Sequence, residues 1–194
     1  MNPTIQNLLE EEMRLRQQIS ALRRAEPPED VADHALVGPG GAVMPLSSLF
    51  GAQPDLLVLH NMGQGCAYCT LWADGLNGLL PHLEDRTGVV LVSPDDPATQ
   101  ARFAAERGWR FRMISDAEGA FSRALGFRTE HGYQPGVSAL RRGDDGRIVR
   151  TGYDWFGPGD PYCGLWHLLD LLQGGAGSWQ PRFAYWGDAA PDGR

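Results

Sequence analysis

Two cysteines at the junction of an apolar run and a helical pattern constrain the fold of this chain more than any other feature. Residues 56–60 are apolar almost throughout, which is typical of a central strand covered on both faces. The helical pattern opens near Cys66, where unpaired backbone N–H groups and the helix dipole stabilise a thiolate. Cys69 follows one turn later, within reach of Cys66. The stretch therefore predicts a dithiol/disulfide couple at the start of a helix.

Cysteine usage and composition narrow the class of protein. The 194 residues contain three cysteines, the third being Cys163, and an odd, low count does not fit a secreted disulfide framework. Hydrophobic content is 42% and charged content 21%, as in a globular domain with short extensions. A net charge of −7 argues against nucleic acid as a partner and gives no reason to expect an anionic membrane. No apolar run approaches the roughly 20 residues of a membrane span, and the N-terminus lacks a signal core, so we expect a cytoplasmic protein.

A charged amphipathic helix is predicted over residues 4–25. Apolar side chains recur at spacings of three and four, with Glu12 interrupting the series, at Ile5, Leu8, Leu15, Ile19 and Leu22. Pro27 and Pro28 end the helix. The narrow apolar stripe docks either on its own domain or on a second copy of the chain, which makes a homodimer through this helix one of two open alternatives.

Strands and helices alternate along the rest of the chain. Strands are predicted at 34–37, 43–46, 56–60, 89–92, 111–114, 137–140 and 147–149, and helices at 66–83, 97–107, 116–125 and 165–172. Pro81 is expected to kink or end the first of these helices, and Leu165, Leu168, Leu169 and Leu172 are expected on the inner side of the last. This order predicts an α/β protein with a mixed sheet and helices on both faces. We divide it into an N-terminal helical extension (1–28), the α/β domain (29–175) and an aromatic tail (176–194).

The cysteine motif resembles a known family. The pair is followed directly by a segment, residues 72–78, that reads Trp-Ala-Asp-Gly-Leu-Asn-Gly, and this combination is similar to the DUF899 family. Residues 151–153 and 168–171 agree with the C-terminal region of that family, and the resemblance covers about residues 5–173. Its members are bacterial proteins of the thioredoxin-like superfamily, usually described as dithiol–disulfide oxidoreductases. The resemblance implies a thioredoxin-like three-layer fold with an extra N-terminal helix.

The dithiol chemistry assigns a role to each cysteine. The thiolate of Cys66 attacks a disulfide substrate, and the more buried Cys69 then displaces the product thiol from the mixed disulfide. The partners are a disulfide-containing protein or small molecule and a dithiol donor, and no cofactor or metal is expected. No Lys or Arg is near in sequence, so the helix start carries the activation. His60 is either a proton acceptor facing the site or a hydrogen-bonded histidine at the strand end.

Substrate contacts are expected from three further residues. Thioredoxin-like folds carry a cis-proline opposite the cysteines, and Pro135 is the candidate by position, with a trans turn residue as the alternative. In the cis case the backbone of Gln134 would offer hydrogen bonds to a substrate. Tyr68 lies between the cysteines, whereas Trp72 is interpreted as a core residue.

Several other functions remain open. Residues 115–119 and 125–127 are similar to a segment of peroxiredoxins, which suggests a peroxide reductase. Peroxiredoxins, however, carry a threonine three residues before the reactive cysteine and a proline seven before, where this chain has Gly63 and Leu59. The cysteines could also pack inertly in a non-catalytic module, or bind a metal with His60, His131 or Cys163. Cys163 is either a buried structural thiol or a third redox partner.

Overall fold

A mixed β-sheet of eight strands organises the molecule in a computed structural model that describes residues 2–185. The helices and strands follow one another as α1 (Pro3–Ala25), β1 (Glu29–Val31), β2 (Ala35–Val37), β3 (Val43–Pro45), β4 (Asp55–His60), α2 (Ala67–Glu84), β5 (Gly88–Ser93), α3 (Pro97–Arg107), β6 (Arg112–Ser115), α4 (Ala120–Ala124), β7 (Arg128–Thr129), β8 (Gly132–Tyr133), β9 (Gly136–Arg142), β10 (Ile148–Trp155) and α5 (Gly164–Leu169). Short 3-10 turns occupy Pro39–Gly41 and Leu46–Phe50.

The sheet has the strand order β1-β10-β9-β4-β5-β6-β2-β3. Strands β4, β5 and β6 are parallel and are joined by α2 and α3, whereas β9 lies antiparallel to β4 and continues through a hairpin into β10. The predicted alternation of strands and helices and the predicted hairpin are therefore confirmed. The short edge strand β1 and the β7–β8 ribbon were not predicted, because β1 opens with two acidic residues and strands of two residues show no periodicity.

Each face of the sheet has its own hydrophobic core. On one face, Leu56 and Val58 of β4 pack with β5 residues and with three phenylalanines, Phe50, Phe121 and Phe127. On the other face, Leu59 packs with Ala73 and Leu80 of α2, with Ala104 of α3 and with Trp109, which follows α3. Because successive side chains of a strand point to opposite faces, a strand buried on both faces must be apolar throughout. The continuous apolar sequence of β4 is thereby explained.

The Asp-Gly-Leu-Asn segment of α2 clamps the helix onto the end of α3. Asp74 Oδ1 accepts hydrogen bonds from Trp109 Nε1 at 2.7 Å and from Arg107 Nε at 2.9 Å. One turn later, the Asn77 side-chain amide donates to the carbonyl of Gly108 at 3.1 Å. The sequence assigned no chemistry to this part of the motif, and the structure gives it a role in holding α2, and with it the cysteine pair, in place.

The N-terminal helix is present over Pro3–Ala25, as predicted, but none of its residues is buried. Its link to the domain lies at its C-terminal end, where Arg23 pairs with Asp154 at 2.6 Å. The apolar stripe remains exposed over most of the helix. Docking of that stripe on its own domain is therefore the weaker of the two alternatives.

Helix α2 runs to Glu84, close to its predicted end at residue 83, and Pro81 lies inside it. Of the two effects expected of this proline, ending the helix at that point does not occur, because Leu83 beyond it still packs on the core.

Two other helix predictions need correction. Helix α4 begins only at Ala120, after its predicted start. Helix α5 ends at Leu169 instead of residue 172, and Leu168 and Leu172 are exposed. The buried residue of α5 is Trp166, whose ring packs against Trp72 with 6.0 Å between centroids and sets the orientation of the helix.

The part of the aromatic tail that is described contacts the domain. The ring of Trp179 packs edge-on against Trp166 at 5.7 Å, and the carbonyl of Phe183 accepts a hydrogen bond from Arg107 at 2.8 Å. Residues 186–194 of the predicted tail lie outside the described residues. Between residues 2 and 185, no helix is long and apolar enough to cross a membrane.

Removing the carboxylate of Asp74 tests the clamp. We expect Asp74→Ala to lower the free energy of unfolding by about 1–3 kcal/mol, because Trp109 Nε1 and Arg107 lose their acceptor in a partly buried setting. Urea unfolding measures this change. Asp144→Ala, at an exposed aspartate of the β9–β10 turn, is the matched control and should stay within about 0.5 kcal/mol of the wild type. Equal stability of both variants would contradict the clamp.

Candidate active site

The cysteine pair lies where β4 ends and α2 begins. Cys66 is the N-cap residue of α2, and its sulfur accepts a hydrogen bond from the Cys69 N–H at 3.1 Å. The predicted placement of Cys66 at a helix start is confirmed.

Side chains fix the loop that connects β4 to Cys66. Asn61 Oδ1 accepts a hydrogen bond from the N–H of Gly63 at 2.8 Å, and the carboxylate of Asp95 accepts one from the N–H of Gln64 at the same distance. Gly63 has φ +98°, and an added Cβ would lie 2.9 Å from Asp95, so only glycine fits there. The loop therefore presents Cys66 in a defined position.

The two thiols differ strongly in acidity. The hydrogen bond from the Cys69 thiol, helped by the backbone N–H groups of Cys69 and Tyr68, lowers the pKa of Cys66 to about 6 against the opposing effect of burial. The pKa of Cys69 is raised, first because its proton is held by the Cys66 sulfur and second because the side chain is buried. Cys69 is 4% exposed, whereas Cys66 is partly exposed. The arrangement gives one accessible thiolate and one buried proton donor.

An apolar pocket of about 300 Å³ opens beside the two sulfurs. Its lining is Met62, Cys66, Tyr68, Cys69, Trp72, Pro135, Phe156, Gly157 and Pro158. None of these side chains carries a formal charge apart from the thiolate. The pocket therefore offers apolar contacts and no ion pair to a molecule that enters it.

Pro135 reaches the pocket through the register of the sheet. His60, the last residue of β4, pairs with Gly136, the first residue of β9, so Pro135 lies directly beside the loop that leads to Cys66. An added Cβ at Gly136 would lie 2.4 Å from the carbonyl oxygen of Asp154, which explains the glycine at this close approach. Pro135 thus faces the cysteines, as its position in the sequence suggested.

The cis alternative for Pro135 does not hold, since within residues 2–185 every peptide bond is trans. The N–H of Gln134 donates to the carbonyl of Phe127 at 2.8 Å and is not available to a substrate. The carbonyl of Pro135 accepts from the N–H of Phe156 at 3.0 Å. The predicted backbone contacts from Gln134 depended on the cis bond, which is absent here, and the ring of Pro135 lines the pocket.

His60 matches the second of its two predicted roles, a hydrogen-bonded histidine at the end of β4. Its Nε2 lies 3.0 Å from Ser138 Oγ, and its ring stacks on Phe127 at 3.8 Å between centroids. Burial, with a smaller effect from the charge of Arg150, lowers the pKa of His60 to about 3, so the ring is neutral. Leu59, the preceding residue, packs on the α2 side of the sheet, and His60 packs with the phenylalanines on the opposite side. We therefore leave His60 out of the proposed proton transfers.

Asp160 is a site residue that sequence reasoning missed. Its carboxylate accepts from Trp72 Nε1 at 2.8 Å and from the backbone N–H groups of Gly157, Tyr162 and Cys163 at 2.7–3.0 Å. These bonds fix the loop that forms one wall of the pocket and attach it to α2. The surrounding Gly-Pro-Gly-Asp-Pro sequence is typical of a turn closed by an aspartate side chain, and this signal could have identified it.

The remaining candidates do not line the pocket beside the two sulfurs. Cys163 is buried in a cluster with Trp72 and Trp166, and burial raises the pKa of its thiol. His131 lies in the exposed β7–β8 turn beside Glu130. In the part of the chain that the structure describes, no three His, Cys, Asp or Glu side chains are grouped as metal ligands.

The family follows from comparison with known sequences. A model of bacterial proteins of unknown function, DUF899, matches residues 4–187. The chain belongs to this family. A comparison with curated proteins gives no match.

Solved structures of peroxiredoxins share the fold. Peroxidoxin BcpB from Mycobacterium tuberculosis is 22% identical with a TM-score of 0.55, and the match covers 63% of this chain and 80% of that one. Peroxiredoxin Q from Xanthomonas campestris is 23% identical (TM-score 0.52, 62% and 81% covered). Reduced Prx3 from Vibrio vulnificus, in complex with hydrogen peroxide, is 17% identical (TM-score 0.53, 68% and 88% covered). The predicted thioredoxin-like α/β fold is confirmed.

The acidity of Cys66 can be measured directly. The rate of Cys66 alkylation by iodoacetamide should rise with pH through a midpoint near 6, because only the thiolate reacts. In Cys69→Ala the midpoint should move upward, since the largest cause of the low pKa is lost. Cys163→Ser is the control and should keep the wild-type midpoint. An unchanged midpoint in Cys69→Ala would show that the helix start alone activates Cys66.

Proposed function

We propose that this protein is a thiol–disulfide oxidoreductase that uses Cys66 and Cys69 as its redox couple. The observation that carries the proposal is the cysteine pair itself: a partly exposed Cys66 sulfur that accepts a hydrogen bond from the Cys69 N–H at 3.1 Å and has a pKa of about 6, beside a buried thiol and an apolar pocket. At neutral pH most of Cys66 is thiolate, the only form that attacks a disulfide. A reducing compartment such as the cytoplasm is the expected setting.

The reaction proceeds in two exchanges. The Cys66 thiolate attacks one sulfur of the substrate disulfide, so that a Cys66–substrate mixed disulfide forms and the first thiolate leaves. Cys69 then loses its proton and attacks the Cys66 sulfur, which closes the Cys66–Cys69 disulfide and releases the second thiolate. The substrate gains two electrons and, after the thiolates take up protons, becomes two thiols. An external dithiol donor returns both cysteines to the reduced state.

The order of the two exchanges follows from the coupling of the thiols. In the reduced protein the negative Cys66 sulfur holds the proton of Cys69 by hydrogen bonding and by charge. The mixed disulfide removes both effects, while the hydrogen bond from the Met62 N–H to the Cys69 sulfur, 3.5 Å long, remains and favours a thiolate. Cys69 therefore becomes nucleophilic only after Cys66 has reacted.

The pocket walls define how the substrate is held. Tyr68 and Pro135 border the pocket together with Met62, and none of them supplies a charge. The ring of Tyr68 is itself positioned by Trp166, with which it stacks at 6.2 Å between centroids. We infer that a disulfide with apolar neighbours enters here.

A peroxide reductase is the second candidate, and the shared fold of the peroxiredoxins named above favours it. In that case the Cys66 thiolate attacks a peroxide oxygen, an alcohol or water leaves, and the resulting sulfenic acid condenses with Cys69 to give the same disulfide and water. Gly63, the residue three before Cys66, offers a backbone N–H that is already bound to Asn61, and it has no hydroxyl to place against a peroxide. Disulfide exchange is therefore the preferred assignment.

Variants at each cysteine test the redox couple. Titration with reduced and oxidised dithiothreitol should convert two thiols into one disulfide in a single two-electron step. Cys66→Ser should reduce disulfide turnover to the uncatalysed rate, and Cys69→Ser should accumulate the mixed disulfide, detectable by mass spectrometry. Cys163→Ser should keep wild-type activity.

Two results would overturn the assignment. A Cys66→Ser variant with full activity, or a pair that remains as two thiols under mild oxidant, excludes the dithiol mechanism. Faster oxidation of Cys66 by hydrogen peroxide than by any disulfide at equal concentration would assign peroxide reduction instead.

The charge-free pocket predicts selectivity among disulfides. For neutral 2,2′-dipyridyl disulfide and for glutathione disulfide, kcat/KM is divided by the rate constant of the same disulfide with free dithiothreitol. The normalised value for the dipyridyl compound should be at least about tenfold higher, equivalent to ~1.4 kcal/mol. Phe156→Ala, which removes a pocket wall, should reduce this ratio. Phe183→Ala, at a phenylalanine 44% exposed and outside the pocket, is the matched control. A ratio near one would contradict apolar recognition.

A further inference from the structure

A second, larger apolar groove lies away from the sulfurs, between α2 and the C-terminal end of α1. It has a volume of about 390 Å³. Its aliphatic lining comes from β4, β9 and α2, namely Leu57, Leu59, Val137, Ala139, Leu76 and Leu83. Apart from the buried Leu59, these side chains are only partly buried. Its charged residues, Arg23 and Arg24, lie at the end of α1.

Helix α1 carries a complementary apolar surface that is largely exposed, although Leu15 and Ile19 also border a cleft with Pro161. The helix has 23 residues, which corresponds to a length of about 35 Å. Its apolar side chains are exposed along the whole length, from Leu8 at 64% to Leu22 at 66%. Of this helix only Arg23 and Arg24 line the groove, and Arg23 is held there by Asp154. The stripe of α1 therefore does not fill the groove of its own subunit.

We propose that the first half of α1 from a second copy of this chain occupies the groove, and that two copies exchange these helices reciprocally. The first half of α1 combines apolar residues with a run of three glutamates, Glu10 to Glu12, of which Glu11 and Glu12 also pair with Arg14 and Arg16 of the same helix. The groove carries Arg23 and Arg24, and within residues 2–185 no carboxylate pairs with Arg24. An antiparallel arrangement thus brings the acidic half of each helix to the basic end of the other.

Self-complementarity favours a second copy over other occupants. Each chain offers one helix and one groove, so a two-fold axis satisfies both surfaces in both copies. Exposed apolar surfaces of this extent are uncommon on proteins that remain monomeric. An anionic amphiphile such as a fatty acid could fill the groove and pair with Arg24, but it would leave the stripe of α1 exposed. The assembly does not require the redox chemistry proposed above, although the groove and the pocket share Phe156.

Sedimentation equilibrium of the full chain tests the proposal, with variants on both surfaces. The wild type should be a dimer in the micromolar range, and its dissociation constant should rise with salt, since charges contribute to the contact. Leu8→Glu on the helix and Ala139→Arg in the groove should each raise that constant at least about tenfold. Leu171→Glu, which makes the same change at a residue 82% exposed elsewhere, is the matched control and should stay dimeric.

Each remaining outcome decides against the proposal. A monomeric wild type overturns it, and saturable binding of laurate to that monomer would assign the groove to an amphiphile. A dimer that survives Leu8→Glu excludes the helix. A dimer that is lost with Leu8→Glu but survives Ala139→Arg shows that helices pair with each other outside the groove. Thermal unfolding tests whether Ala139→Arg is folded. If it is not, Thr151→Arg, at an exposed position of the same groove, replaces it in the experiment.

Discussion

Burial of β4 on both faces and along both edges is the constraint from which the rest of this structure follows. The strand is hydrogen-bonded to β5 on one side and to β9 on the other, and its alternate side chains enter two separate cores. A strand enclosed in this way cannot shift its register without exposing one core. The C-terminal end of β4 therefore has a fixed position. It positions both the loop that carries Cys66 and Pro135, which faces the cysteines.

The chemistry of the site depends on neighbours that carry no full charge. Cys66 owes its low pKa to a hydrogen bond from Cys69 and to backbone N–H groups at the start of α2, while the pocket around it is apolar. An anion stabilised by short-range hydrogen bonds is sensitive to small displacements of α2. This sensitivity gives a physical reason for the bonds that hold the helix at several points along its length, from Asp160 at Trp72 to Asp74 at Trp109.

The pocket beside the sulfurs and the groove near α1 share one residue. Phe156 lines both the pocket beside the sulfurs and the groove proposed to receive a second chain. The same loop is anchored by Asp160 and by Tyr162, whose hydroxyl donates to Asp154 at 2.8 Å, and Asp154 in turn holds the end of α1. The N-terminal helix and the dithiol site are thus joined through one short, aspartate-rich segment.

The sequence by itself determined the order of the elements, the position of Cys66 at a helix start and the burial of Cys69. Each of these depends on local spacing: an apolar run of strand length, a cysteine pair one helical turn apart, and a helix predicted at 97–107 that the structure shows capped by Asp96 and Gly108. Only the tertiary structure decided which side chains surround the sulfurs. The trans bond at Pro135, the orientation of His60 toward Phe127 and the loop held by Asp160 depend on contacts between segments far apart in the chain, and no local pattern encodes them. Tertiary packing also determined the length of α5. The contact of Trp166 with Trp72 outweighed the leucine periodicity, which predicted a longer helix.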